Sequence, residues 1–235
     1  SRADISETEV LSREAEAMLL KGGFHIKFWQ YSGEKLHGED SEMTTAVLGV
    51  GWRPDEDVIC FKASINFSHK RHGVHIKPDL SLLDIPQSIP LKLTKRMALA
   101  QVMKIFDPYG ILCPFTLYGK VYLRETWARK LGWDDALPDD LRDKWVRFFT
   151  LLFDIENNIY PRCLKPVDAV GNPWLLILSD GSDTAYGFAA YVRWKLKDGS
   201  FVCKLIFAKC RIAPLDKVST PQMELNAAVL SKRGR

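Results

Sequence analysis

Long apolar runs are missing from this chain. No stretch of its 235 residues approaches the about 20 that a membrane-spanning helix needs, and the opening Ser-Arg-Ala-Asp-Ile-Ser-Glu has none of the apolar core of a secretory leader. The expectation is an intracellular, cytoplasmic protein with no membrane partner. Cys-x-x-Cys spacing is also missing. The five cysteines, Cys60, Cys113, Cys163, Cys203 and Cys210, are scattered and odd in number, which points away from a zinc site or a disulfide framework and toward a reducing compartment. No Gly-rich phosphate-cradling loop occurs, and no Ser/His/Asp set in a recognisable context. Neither charge sign dominates: the formal net charge is +4 and the sequence pI about 8.7, which allows a polyanionic partner without requiring one.

What is present is an ordered set of periodic segments in a chain that is 46% hydrophobic, enough to bury a core. Residues 5–20 carry Val10, Leu11, Met18, Leu19 and Leu20 among charged positions, with Gly22-Gly23 where a helix would stop. Residues 24–31 alternate apolar and polar side chains, the period of a half-buried strand. Two apolar runs, 45–52 and 58–63, flank a Pro-Asp turn and read as a hairpin. Gly49 and Gly51 sit two apart on one side of it, where another backbone could approach closely. Residues 64–93 hold Pro78, Pro86 and Pro90 and the basic cluster 69–77, and read as a linker or loop. Helical patterns follow at 94–105, 116–131 and from Pro138 through Leu152. Strand patterns then occupy 174–178, 187–194 and 201–212, with Lys197-Asp-Gly-Ser200 as a turn. Ser219 and Thr220 are competent N-caps, Pro221 suits a first helical turn, and Met223, Ala227 and Leu230 make an apolar stripe.

The last of these segments carries the chemistry. Asp180 stands at the end of a buried strand and Glu224 in the first turn of the helix, so both carboxylates are candidate ligands for a divalent metal. Mg²⁺ or Mn²⁺ suits such hard oxygen donors. Asp183, in the turn after the strand, reads instead as a solvated or capping acid. His69, His72 and His75 share a Lys/Arg-rich loop whose cations oppose a bound metal, so that loop, with Lys70 and Arg71, reads as a solvated basic segment able to touch phosphate. Lys95 and Arg96 are further candidates for phosphate contact. Trp29, Trp52, Trp127, Trp133 and Trp145 read as packing residues, with base stacking a minor alternative for Trp52.

In sequence order, several motifs resemble the polyprotein of a retroelement of the Bel/Pao class. Leu20-Lys-Gly-Gly-Phe-His-Ile-Lys-Phe-Trp29 and Val47-Leu-Gly-Val-Gly-Trp52 resemble the end of a reverse transcriptase palm. Thr94-Lys-Arg96, Ile105-Phe-Asp-Pro-Tyr-Gly-Ile-Leu-Cys-Pro-Phe115 and Lys130-Leu-Gly-Trp-Asp-Asp-Ala-Leu-Pro138 resemble the segment after it. Leu178-Ser-Asp-Gly-Ser-Asp-Thr-Ala-Tyr-Gly187 and Pro221-Gln-Met-Glu-Leu-Asn-Ala-Ala228 resemble the opening of an RNase H domain. The resemblance implies an α+β chain in four parts: 1–66 palm end, 67–93 basic loop, 94–165 helical thumb or connection module, and 166–235 the first half, β-β-β-α, of an RNase H-like domain. It also implies metal-assisted hydrolysis of an RNA–DNA hybrid through Asp180 and Glu224, and nucleic-acid contact through Lys70, Arg71, Lys95, Arg96, Leu48, Gly49 and Trp52. The partners would be the hybrid and the rest of the Pol polyprotein.

The polymerase aspartate pair of that class would precede Ser1, and further RNase H carboxylates would follow Arg235. With Ser1 in place of Met and Lys-Arg-Gly-Arg235 after a helical pattern, the expectation is a piece of a longer polypeptide that is inactive alone. The alternative is a domesticated, non-enzymatic nucleic-acid-binding or interaction protein. The peptidase label sometimes given to this segment finds no mechanism, because Asp180-Gly181-Ser182 and Asp107-Pro108-Tyr109 do not supply Asp-Ser/Thr-Gly.

Overall fold

The computed structural model describes residues 5–33, 45–47, 50–71 and 73–234, with the backbone alone at residues 5, 6, 45–47, 70, 71 and 74. Helix α1 (Ile5–Lys21) ends at Gly22-Gly23, whose N–H groups bond back to Leu19 and Leu20. Residues 24–31, expected as a strand, adopt none, and Phe24 and Phe28 are exposed. Alternation supplies two faces, but a strand also needs an edge to pair with, and among the described residues this segment has none. Three short antiparallel strands follow, β1 (Thr45–Val47), β2 (Val50–Arg53) and β3 (Val58–Cys60), the last two forming the expected hairpin.

The segment read as a loop is more ordered than its prolines suggest. It contains the small hairpin β4 (Lys70–Arg71) and β5 (Val74–His75). Asn66, only 3% exposed, anchors it: Asn66 N–H donates to Gln101 Oε1 (3.0 Å), Gln101 Nε2 donates back to Asn66 O (3.0 Å), and Asn66 Nδ2 donates to Lys77 O and Asp79 Oδ1. A buried amide needs such partners, and these bonds tie residues 66, 77 and 79 to one another and to Gln101.

The middle is helical: α2 (Lys95–Val102) capped by Thr94, α3 (Cys113–Ala128) with Pro114 in its first turn, and α4 (Asp139–Leu152). Helix α4 buries Leu141, Trp145, Phe148, Phe149 and Leu152 at the helical repeat, and Phe115 of α3 stacks on Phe148 at 4.6 Å. Full burial of each large apolar side chain contributes about 1.5–3 kcal/mol. Ile59, Phe61, Ile65, Ile85, Ile89 and Leu93 join the same cluster, so the core runs through residues 66 and 93 without a break. Strand β6 (Ile159–Pro161) then returns to pair with β3, and Arg162 clamps Asp57 at the tip of the β2–β3 turn, Nε to Oδ1 2.5 Å.

The C-terminal part is the antiparallel meander β7 (Ala169–Gly181), β8 (Ala185–Leu196) and β9 (Phe201–Ile212), followed by α5 (Thr220–Arg233). Gln222 Oε1 accepts from both the N–H and the hydroxyl of Ser219, fixing the start of α5. Asp180, Gly187 and Cys210 share one cross-strand line; Gly181, Tyr186 and Arg211 share the next. Neighbouring lines face opposite sides of a sheet. Helix α5 covers the Gly181 side through Met223, Ala227 and Leu230, while α3 and the turn before it cover the Cys210 side.

Candidate functional site

Asp180 is the next-to-last residue of β7, and Glu224, expected in the first turn of α5, lies in its second because the helix already starts at Thr220. The residue between strand and turn, Gly181, is where the end of β7 meets α5. A methyl group on Gly181 would lie 2.5 Å from the Met223 carbonyl carbon and 2.7 Å from the Glu224 nitrogen, so only glycine lets the strand end touch the helix backbone there. Both acids are exposed to solvent. Asp180 Oδ1 accepts the Gly181 N–H (2.8 Å), and Gly187, opposite Asp180, adds no side chain to that end of the sheet. The following turn is closed by Ser182, whose N–H and hydroxyl both donate to Ala185 O. Asp183 accepts from the Thr220 hydroxyl (3.4 Å) and so ties the turn to the start of α5.

The donor set suits a divalent ion: two carboxylates, each on the end of a regular element, with hard oxygens free of ion pairs among the described residues. Among the described residues no group of three or more His, Cys, Asp or Glu is arranged to hold a metal.

Of the residues expected to contact nucleic acid, Trp52, Lys95 and Arg96 have described side chains. Leu48 and Gly49 lie outside the described residues, as do His72 and the side chains of Lys70 and Arg71. Trp52 donates its indole N–H to Asp57 Oδ1 (3.1 Å) and lies under the Arg162 guanidinium, 5.3 Å from ring centre to charge. Lys95 is 6% exposed, donates to Leu131 O (2.5 Å), and has its ammonium 3.8 Å from the centre of the Trp127 ring, with Trp133 beyond. Its charge is engaged inside the protein. Arg96 is exposed but forked onto Asp134, Nε to Oδ1 2.8 Å and Nη2 to Oδ2 2.9 Å. The pairing holds the Asp134 carboxyl below its usual range.

A second group of reactive side chains, invisible in the sequence because its members lie far apart, forms where α3 meets β9. It comprises Asp107, Cys113, Lys120 and Cys210 around a cavity of about 330 Å³. Burial pushes the Asp107 carboxyl up, against the backbone N–H groups of Leu112, Ile111 and Gly110 that donate to it.

A three-stranded antiparallel meander leading into a helix on one face, with one carboxylate at the end of the first strand and another at the head of the helix, defines the opening of an RNase H-like domain. Residues 94–234, more than half of the chain, match the family model of the Pao retrotransposon-like RNaseH-like domain, and the chain belongs to that family. No curated protein and no solved structure matches it.

Proposed function

We propose that this chain is part of a retroelement Pol polyprotein that degrades the RNA strand of an RNA–DNA hybrid, with Asp180 and Glu224 as two of the metal ligands. The observation that carries this reading is the close approach of Gly181, at the end of β7, to the backbone of Met223 and Glu224 in α5. Family membership supplies the context. A pair of divalent ions at such a site would stabilise the attacking and leaving oxygens of in-line hydrolysis of a phosphodiester. What the chain itself would contribute is two solvent-exposed carboxylates, Asp180 at the end of β7 and Glu224 in the second turn of α5. Further ligands would come from elsewhere in the polyprotein, so the 235-residue chain alone should not turn over hybrid. Residues 1–66 are, on the same reading, the end of a reverse transcriptase palm.

The test compares this chain with a polypeptide extended in the natural reading frame, using a labelled hybrid and Mg²⁺ or Mn²⁺. The extended protein should cleave the RNA strand, and Asp180→Asn or Glu224→Gln should each lower the rate by on the order of 100-fold or more. Cleavage by the 235-residue chain that Glu224→Gln abolishes would show that the site is complete without other ligands. Unchanged cleavage by both variants of the extended protein would remove Asp180 and Glu224 from the chemistry.

A further inference from the structure

Cys113 opens α3 and Cys210 lies on β9, 97 residues on, yet the fold makes them neighbours. Cys210 Sγ donates to the Cys113 carbonyl oxygen at 3.4 Å, which brings β9 against the first turn of α3. Lys120, two turns along α3, holds its ammonium 4.0 Å from Cys210 Sγ. Both cysteines are half-buried and line the cavity of about 330 Å³ at the helix–sheet seam, so a molecule the size of a hydroperoxide has room there. Cys60 is buried elsewhere, and Cys163 and Cys203 are exposed.

We propose that Cys113 and Cys210 are a peroxide-sensitive dithiol, with Cys210 the attacking thiol and Cys113 the resolving one, whose disulfide fastens α3 to β9. The electrostatics favour this division of roles. The hydrogen bond from Cys113 lowers the Cys210 thiol to about 7; burial opposes it, Lys120 assists and Asp107 opposes. Cys113 is pushed up by the same hydrogen bond, by burial and by Asp107, and so keeps its proton until the second step. Lys209 and Arg211 flank Cys210 on its own strand.

In the first step the Cys210 thiolate attacks one peroxide oxygen. The O–O bond breaks, sulfur becomes a sulfenic acid, and the departing hydroxide takes a proton and leaves as water. In the second, Cys113 sulfur gives up its proton and attacks the sulfenic sulfur; the S–O bond breaks and a second water leaves. The two thiols lose two electrons and the hydroperoxide gains two.

The test exposes the full chain to stoichiometric hydrogen peroxide at pH 7, blocks the remaining thiols by alkylation and maps disulfides by mass spectrometry without reduction. A linked Cys113–Cys210 peptide should appear about 10-fold faster than any oxidation of the exposed Cys163 and Cys203, and dithiothreitol should reverse it. Cys113→Ser should leave a dimedone-reactive Cys210, and Cys210→Ser should leave Cys113 reduced. The wild-type map requires no variant to fold. Oxidation that goes first to Cys163 or Cys203, with Cys113 and Cys210 still alkylated, would overturn the proposal.

Discussion

The single residue Asp57 joins the tip of the β2–β3 turn to β6. Burial opposes ionisation of its carboxyl, but hydrogen bonds from Arg162 and Trp52 and the Arg162 charge together hold it below its usual 3.8. A carboxyl that is more acidic in the folded state than in the unfolded chain adds stability at pH values above the unfolded pKa. That stability is lost as the pH falls through the lowered folded value. Thermal midpoints of the wild type should therefore drop as the pH falls below 3.8, and Asp57→Asn should show a smaller drop over the same range together with a lower midpoint at neutral pH. The measurement is differential scanning calorimetry of both proteins from pH 6 to about 2. An identical acid limb in the two proteins would assign the acid sensitivity elsewhere. The same residue shows why Trp52, legible in the sequence as a packing residue with stacking as an alternative, sits where it does: its indole N–H is turned toward Asp57.

Among elements, the regular ones were the most legible, because each carried its period on a long stretch. Helix α4 and strands β8 and β9 fall where the 3.6- and 2-residue repeats place them. Strand β7 reaches back to Ala169, well before the apolar run at 174–178, because its extension is set by the ladder with β8 and not by its own side chains. Helix α3 starts at Cys113 and not at 116, since Pro114 fits a first turn as readily as it punctuates a loop. Strand β6 left no sequence signal: it is three residues long, ends in Pro161 and exists through pairing with β3 about a hundred residues earlier. The strand end and the helix that carry Asp180 and Glu224 were legible from their contexts. The Cys113–Cys210 group was not, because neither residue has a local pattern. Strand β7 also forms an outer edge of its sheet, with Leu175 56% and Leu178 65% exposed. Open, apolar edges promote association. Leu175→Lys with Leu178→Lys should reduce self-association in sedimentation velocity at high protein concentration, with little change in the thermal midpoint. Association that is undiminished would assign it to another surface.

Among the described residues a large apolar core holds the helices and a small one lies under the β7–β9 sheet, and the seam between them is where α3 and the turn before it meet β9. At this seam Gly110 has φ +73 and sits so close to β9 that an added methyl group would overlap the Ala208 carbonyl. The Ala208 N–H donates to Tyr109 O at 2.8 Å across the same contact. Gly110→Ala should therefore cost about 1–3 kcal/mol at the seam in particular. Calorimetry should show one transition in the wild type and two separated ones in the variant; a single transition merely shifted downward would mean that the cores unfold together regardless of the seam. The pairing of β6 with β3 has a consequence for how such a chain can be inherited. Strand β6 falls within the family-matched residues 94–234 and its partner β3 falls before them. A recombination that exchanged only the family-matched segment would bring in a strand cut to fit a neighbour left behind in the old element, so the two regions should change partners rarely and accumulate substitutions as a matched pair.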